Sequence, residues 1–313
     1  MNSIRKGILL EVFSYTFWGI MPLYWHLLNF AGPLRILGCR ITFALVFTAL
    51  ALFVRGNKTW LSLLTDRKKR PITVLCGLLI SINWGIYIWA VNTGHTIDAS
   101  LGYYINPLVS VLLALIILRE KLVPLQWVAF GFAALGVLLV TVFSGVFPWI
   151  ALLIAFSFGF YGLFKKKNKA GAMEALGAET LAVLPLGLAL IIFPPEGLLQ
   201  LSSPFQWLLL VSCGFVTALP LYTFAKGAKL LPLSAIGFLQ FINPTILFFL
   251  GVFAFGEDFM PEKLWAFGCI WIAVALYCFS LIKGNKTKQE HSEQKSGKQL
   301  FAENISIEQV LIK

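Results

Sequence analysis

Polar residues along this chain are so sparse that they mark boundaries rather than faces. Between them run apolar windows of about 17 to 25 residues, each long enough to cross a hydrocarbon core of about 30 Å as a helix. The windows fall near 7–28, 34–54, 72–93, 99–118, 124–143, 148–164, 174–193, 206–225, 233–255 and 264–282. They are continuous and do not alternate in ten-residue strands, which predicts helices and not a barrel. In the stretch INPLVSVLLALIILREKLVP (Ile105 to Pro124), Ser110 is the only polar residue between Leu108 and Leu118. A helix with no polar face needs apolar surroundings on every side. The pattern predicts an all-α integral membrane protein of ten transmembrane helices. The first window follows Arg5 and Lys6, but it lacks an Ala-x-Ala-like exit and runs straight into another span, so it reads as a mature helix and not a signal peptide.

Composition agrees with a membrane solvent: 58% of residues are hydrophobic, 12% are charged and the mean hydropathy is +0.83, far outside soluble averages. The five cysteines, Cys39, Cys76, Cys213, Cys269 and Cys278, all lie inside windows without metal-like spacing and read as small packing residues. The basic residues are distributed by side. Twenty-two of the 25 lie with the termini: Arg5 and Lys6, six from Arg55 to Arg70, Arg119 and Lys121, four from Lys165 to Lys169, Lys226 and Lys229, and six in the tail. Only Arg35 and Lys263 fall on the other side, with Arg40 inside a span. This bias predicts both termini in the cytoplasm of a bacterial inner membrane, and it accounts for the net charge of +11 without a nucleic-acid partner.

The chain also repeats itself. Ile105-Asn106-Pro107, Glu120, Pro124 and Ala129-Phe130-Gly131 return as Ile242-Asn243-Pro244, Glu257, Pro261 and Ala266-Phe267-Gly268, all displaced by 137 positions. Leu37-Gly38-x-Arg40 returns as Leu176-Gly177-x-Glu179, displaced by 139, and Phe13-Ser14-x-x-Phe17-x-Gly19 as Phe156-Ser157-x-x-Phe160-x-Gly162, displaced by 143. The repeat divides the chain into residues 1–146 and 147–282, followed by a polar tail at 283–313 that reads as disordered and cytoplasmic. Five spans per copy is an odd number, so the second copy enters the membrane from the opposite face. Inverted repeats are a construction from which secondary transporters obtain alternating access, with a solute site near the midplane between the halves.

Several stretches also resemble a known family. Asn83-Trp84, Tyr87-Ile88-Trp89-Ala90-Val91-Asn92, Ala99-Ser100-Leu101-Gly102-Tyr103 and Ile105-Asn106-Pro107-Leu108-Val109 form one signature. Ala155-Phe156-Ser157-Phe158, Phe160-Tyr161-Gly162, Glu179-Thr180 and Leu239-Gln240 extend it. Over nearly the whole membrane part the chain resembles the RarD proteins of the drug/metabolite transporter superfamily, within the wider EamA-like fold. At the head of the second span the family pattern has an acidic residue and a His-Arg pair, where this chain has Arg35, Cys39 and Arg40. A charge relay implied by the resemblance therefore does not carry over.

Individual residues suggest roles. Pro107 and Pro244 each remove a backbone donor and clash with the preceding turn, which predicts matched kinks. The carbonyls freed near Tyr103 and Leu239, with the amides of Asn106 and Asn243, would face a polar cavity; the alternative is that these prolines are merely tolerated in a membrane helix. Glu120 and Glu257 fall on opposite membrane sides, which disfavours a topological or voltage role. Each instead reads as a helix-capping carboxylate ahead of its Pro, with a gate or solute contact as the alternative. Arg40 sits about 9 Å deep and would reach outward to Asp98, while Glu179 would reach inward to Lys226 or Lys229. Headgroup snorkelling for Arg40 and a neutral hydrogen-bonded acid for Glu179 are the plainer alternatives. Glu11 resembles the proton-binding carboxylate of small multidrug transporters, yet its place near the interface favours snorkelling. Asn83, Trp84, Asn92, Tyr103, Tyr161 and Gln240 form an aromatic and amide set suited to a mixed organic solute, or else serve as glue between helices.

No H-E-x-x-H, G-x-S-x-G or P-loop motif occurs, and the histidines are only His26, His95 and His291. An enzyme is disfavoured, and no cofactor is called for. The 55–71 loop is too short for a nucleotide-binding domain, so pumping would use an ion gradient, such as protons, or solute exchange. The sequence thus predicts a secondary transporter of a small organic solute, such as a metabolite, an amino-acid-like compound or an amphenicol-type drug. A lipid or lipid-linked headgroup flippase on the same fold is the rival reading. Oligomeric state is not legible.

Overall fold

A computed structural model describes residues 3–92, 96–145, 148–193, 203–254 and 264–281. In chain order the helices are α1 (Ser3–His26), α2 (Pro33–Val54), a 3-10 turn (Thr59–Leu61) leading into the short α3 (Ser62–Thr65), α4 (Arg70–Asn92), α5 (Thr96–Ile116) and α6 (Pro124–Ser144). Then follow α7 (Trp149–Lys167), α8 (Ala172–Ala182), α9 (Leu184–Ile192), α10 (Pro204–Gly227), α11 (Leu233–Gln240), α12 (Ile242–Phe253) and α13 (Leu264–Leu281). No strand occurs among the described residues. Among the described residues, seven spans are long and apolar enough to cross a membrane: α2, α4, α6, α7, α10, α11 with α12, and α13. The bent pair α8–α9 makes an eighth if it is one span. α1 and α5 fill the windows near 7–28 and 99–118; α1 is more polar, carrying Arg5, Lys6 and Glu11, and the described side chains of α5, Leu101–Ile116, form a shorter apolar helix.

Local chemistry sets the helix ends. Pro33, Pro124 and Pro204 open their helices at a position whose N–H would have no intrahelical partner. The Ser203 hydroxyl accepts from the Gln206 N–H. Gly145, at φ 67°, closes α6 in the left-handed conformation. Arg119 is the sole non-glycine with positive φ among the described residues, at 52°. That turn stops α5, returns the Glu120 N–H to the Ala114 carbonyl at 3.0 Å and swings the Glu120 carboxylate towards the start of α11.

The proline kinks are not matched as the repeat suggests. α5 runs unbroken through Pro107, whereas the equivalent helix is interrupted at Phe241, three residues before Pro244. There the Phe241 N–H turns back more tightly to Phe238 (3.3 Å), and regular bonding resumes from Thr245 to Phe241 (3.2 Å). The strongest bend lies elsewhere: α8 and α9 meet at 50° around Val183, just before Pro185.

α5 packs along α7 and α11, α10 along α1 and α2, α4 along α7, α2 along α9, and α1 along α12. Close approach depends on small residues. A Cβ on Gly237 would sit 2.8 Å from the Pro107 carbonyl, and one on Gly38 2.7 Å from the Gly187 carbonyl. The Tyr24 hydroxyl ties α1 to α10 through the Leu209 carbonyl and the Ser212 hydroxyl (2.8 Å). Large apolar side chains such as Phe53, Val54, Ile192, Trp207, Phe253 and Trp265 stand exposed on the outside, the arrangement a lipid solvent requires and water penalises.

Candidate functional site

A cavity of about 100 Å³ opens where α1, α2, α4, α5, α7, α11 and α12 converge. Asn83, Trp84 and Tyr87 come from α4, and Tyr103 and Asn106 from α5. Gln240 ends α11, Asn243 and Leu247 belong to α12, and Arg40 enters from α2. Seven residues singled out from the sequence therefore meet in one place: Arg40, Asn83, Trp84, Tyr103, Asn106, Gln240 and Asn243. The two asparagines displaced by 137 positions face the same space.

The polar groups here are unevenly satisfied. Asn83 donates to the Ile154 carbonyl (2.8 Å) and to the Ser157 hydroxyl (3.0 Å), fixing α4 to α7. The Gln240 oxygen accepts from the Ser110 hydroxyl at 3.4 Å. The Oδ1 atoms of Asn106 and Asn243 are buried and accept from nothing. Arg40 is 9% exposed. Its Nε donates to the Thr217 hydroxyl at 3.3 Å, and its guanidinium carbon lies 4.1 Å from the ring centre of Trp84 and 4.7 Å from that of Trp25. No carboxylate among the described residues pairs with it. The side chains of Asp98, its expected partner, and of Asn92 lie outside the described residues, as does all of Glu257.

Three expectations need correction. Glu179 does not turn to Lys226 or Lys229. Both of its oxygens accept from the Lys165 ammonium at 2.8 Å, and the two residues are each only 1% exposed. Lys226 instead lies 4.8 Å from the Tyr222 ring, and Lys229 donates to the Ala170 carbonyl. The reason is helix rotation: Lys165 is the first of a run of lysines ending α7, and it alone of that run faces the interior. Tyr161 is likewise absent from the cavity. It is fully buried one turn before Lys165, whose ammonium lies 5.3 Å from its ring, and it stacks on Phe224 at 6.0 Å. Glu11 does not snorkel. It is fully buried, its oxygens make no hydrogen bond of regular geometry, and its carboxylate fills the space that a Cβ on Gly227 would occupy.

Glu120 does cap a helix, but not its own. Its carboxylate accepts from the backbone N–H groups of Leu233 (2.8 Å) and Ser234 (3.1 Å) and from the Ser234 hydroxyl (2.7 Å), at the start of α11. The helix that follows Glu120 is closed by Gln126, whose side chain accepts from the Val123 N–H at 3.1 Å. Sequence reasoning missed Tyr15, Trp18, Met21, Pro22 and Trp25, which form the α1 wall of the cavity, and Phe158 from α7. The signal was present in the Phe-Ser repeat. Ser14 bonds Thr223 at 2.7 Å and its counterpart Ser157 bonds Asn83, so both copies aim the same turn inward.

The EamA-like transporter family model matches residues 5–142 and again 147–279. The chain belongs to that family. This EamA-like chain is 44% identical over 295 residues to the transporter YojE of Bacillus subtilis, covering 92% of this chain and 98% of that one. It is 38% identical over 286 residues to Protein RarD of Streptomyces exfoliatus, covering 90% and 91%. A solved crystal structure aligns with a TM-score of 0.68 at 22% identity, over 86% of this chain and 96% of the other, a likeness of fold. As an EamA-like protein the chain is a multi-pass membrane protein of a bacterial transporter family.

Proposed function

We propose that this protein is a secondary transporter that moves a small organic solute across the bacterial inner membrane by alternating access, with the cavity as its solute site. Ten spans form two inverted five-helix halves, 1–146 and 147–282, and both termini are cytoplasmic. The observation that carries this reading is the meeting of Asn106 and Asn243, equivalent residues of the two copies, in one aromatic-lined cavity. Packing supports it: α1 lies against α10 and α12 of the other half, and its counterpart α7 lies against α4 and α5. Such reciprocal contact is what a pseudo-two-fold axis in the membrane plane produces. The cavity is smaller than the roughly 300–1,000 Å³ of drug-sized sites, which favours a small metabolite over an amphenicol or a lipid headgroup.

Cysteine labelling tests the topology. A cysteine at Ser203, in a background without the native cysteines, should react with an impermeant maleimide from outside, and one at Asn57 only after permeabilisation. Ser203→Cys reacting only after permeabilisation would defeat the inverted arrangement. Uptake into proteoliposomes, with soluble solutes set against fluorescent lipids, separates transport from flipping. Lipid movement without solute uptake would replace this proposal with the flippase.

A further inference from the structure

The most costly group in the cavity is a charge with no carboxylate partner among the described residues. A charged side chain within a span is expensive even on lenient scales, and such a charge is ordinarily paired. Arg40 has no carboxylate among the described residues. Two indoles stabilise its charge, and Thr217 holds its Nε, which leaves the N–H groups of the two terminal nitrogens for whatever enters the cavity. A planar fork held by stacking and anchored at Nε is pre-organised for a two-point contact with a carboxylate. Across the same cavity, Asn106 (3% exposed) and Asn243 (7% exposed) keep buried carbonyl oxygens without a donor. Buried acceptors left unsatisfied cost free energy, and two of them at repeat-related positions are matched to donor groups on a ligand.

We propose that the cavity selects solutes by a carboxylate bound to Arg40, while Asn106 and Asn243 accept hydrogen bonds from ammonium or hydroxyl donors on the same molecule. Between these poles the walls are aromatic: Tyr15, Trp18, Tyr87 and Tyr103. The expected substrate class is a small organic acid with a hydrogen-bond donor near the carboxylate, of which amino and hydroxy acids are the simplest cases. The inference rests on the transport reading only in taking this cavity as the solute site.

The test is a binding screen on the purified protein in nanodiscs, by thermal shift. L-alanine, L-phenylalanine, lactate and benzoate are each set beside the corresponding carboxamide, which lacks the carboxylate charge, with inorganic phosphate as a separate arm. At least one carboxylate should bind the wild type tenfold or more tightly than its amide. Arg40→Gln should abolish that preference, and Arg40→Lys should reduce it, because an ammonium keeps the charge but not the fork. Should Arg40→Gln fail to fold, Thr217→Val, which frees Nε, should still narrow the preference several-fold. The proposal is overturned if no carboxylate outbinds its amide, if the preference survives in Arg40→Gln, or if phosphate binds where no carboxylate does. A cysteine at Leu247, which lines the cavity, separates this failure from that of the transport reading. Protection of Leu247→Cys from maleimide by amides as well as by acids keeps the cavity as a solute site and removes the role of Arg40; protection by nothing removes both.

Discussion

Glu179→Gln and Lys165→Met should each destabilise the protein severely, while the double substitution Lys165→Met/Glu179→Leu should recover most of the loss. The pair is bidentate at 2.8 Å with both residues 1% exposed, so neither charge can turn to water when the other is removed. Removing one member of a buried pair costs about 3–5 kcal/mol, whereas replacing both by well-packed apolar groups is often near neutral. Singles at about 3–5 kcal/mol and a double within about 1 kcal/mol of wild type would give a coupling energy well above the 0.5 kcal/mol scale of independent sites. Reversible unfolding in mixed micelles, read by tryptophan fluorescence, measures all four corners of the cycle. The pair joins α7 to α8, neighbouring helices of one half of the chain, so it should act in folding and not as a gate, and the double variant should still transport. Additive single effects would refute the energetic argument, and a stable double variant without transport would refute the structural assignment.

Other expectations follow from particular contacts. Glu120→Ala should cost at least the roughly 1 kcal/mol of an ordinary helix cap, since it strips acceptors from two backbone donors and the Ser234 hydroxyl; Ser234→Ala alone, which leaves both backbone bonds, should cost less by thermal unfolding. Gly237→Val should lower folded yield sharply in fluorescence-detected size exclusion, because a Cβ there meets the Pro107 backbone carbonyl at 2.8 Å, an atom that cannot move aside. Pro244→Ala should allow α11 and α12 to join as one helix and slow transport in proteoliposomes without reducing protein abundance, and unchanged rates would show that the break at Phe241 is incidental.

Helix positions were legible because a lipid-spanning backbone must satisfy its own hydrogen bonds over a fixed length, and the boundary prolines Pro33, Pro124 and Pro204 sharpened them. Part of the cavity was legible too. Asn83, Trp84, Tyr103, Asn106, Gln240 and Asn243 are amides and aromatics in otherwise apolar spans, and such residues need an interior polar surface. Rotation about each helix axis was not legible, because helices apolar all round carry no amphipathic signal to orient them. That single gap accounts for the misplacement of Tyr161, for Glu11 turning inward, and for Lys165 being overlooked in a run of lysines that reads as a membrane-facing charge cluster. The Glu120 cap was recognised as a cap, but its owner lies 113 positions away, and only tertiary contact reveals it.

Repetition of sequence is not repetition of chemistry. Where the first copy has Glu11, the second has Ile154 at the 143-residue displacement. Where the first has Arg40, the second has Glu179 at 139. The backbone positions are equivalent, yet Arg40 opens on the cavity with no acidic partner among the described residues, whereas Glu179 is closed by Lys165 away from it. Ile154 joins an apolar cluster with Ala90 and Ile150 and lines the cavity directly, while Glu11 lies behind it, beside the cavity-lining Tyr15. Several packing contacts have a counterpart in the other half, as α1 against α10 and α12 answers α7 against α4 and α5. On the proposed alternating-access mechanism, asymmetry of the charges would give the two closures different energies; a solute that neutralises Arg40 would interact differently with them, and only such a difference can shift the balance between them. Arg40, without a carboxylate partner among the described residues, and the buried Lys165–Glu179 pair are thus two uses of one repeated position: under the proposed function the first charge is left for the solute, and the second is locked into the fold.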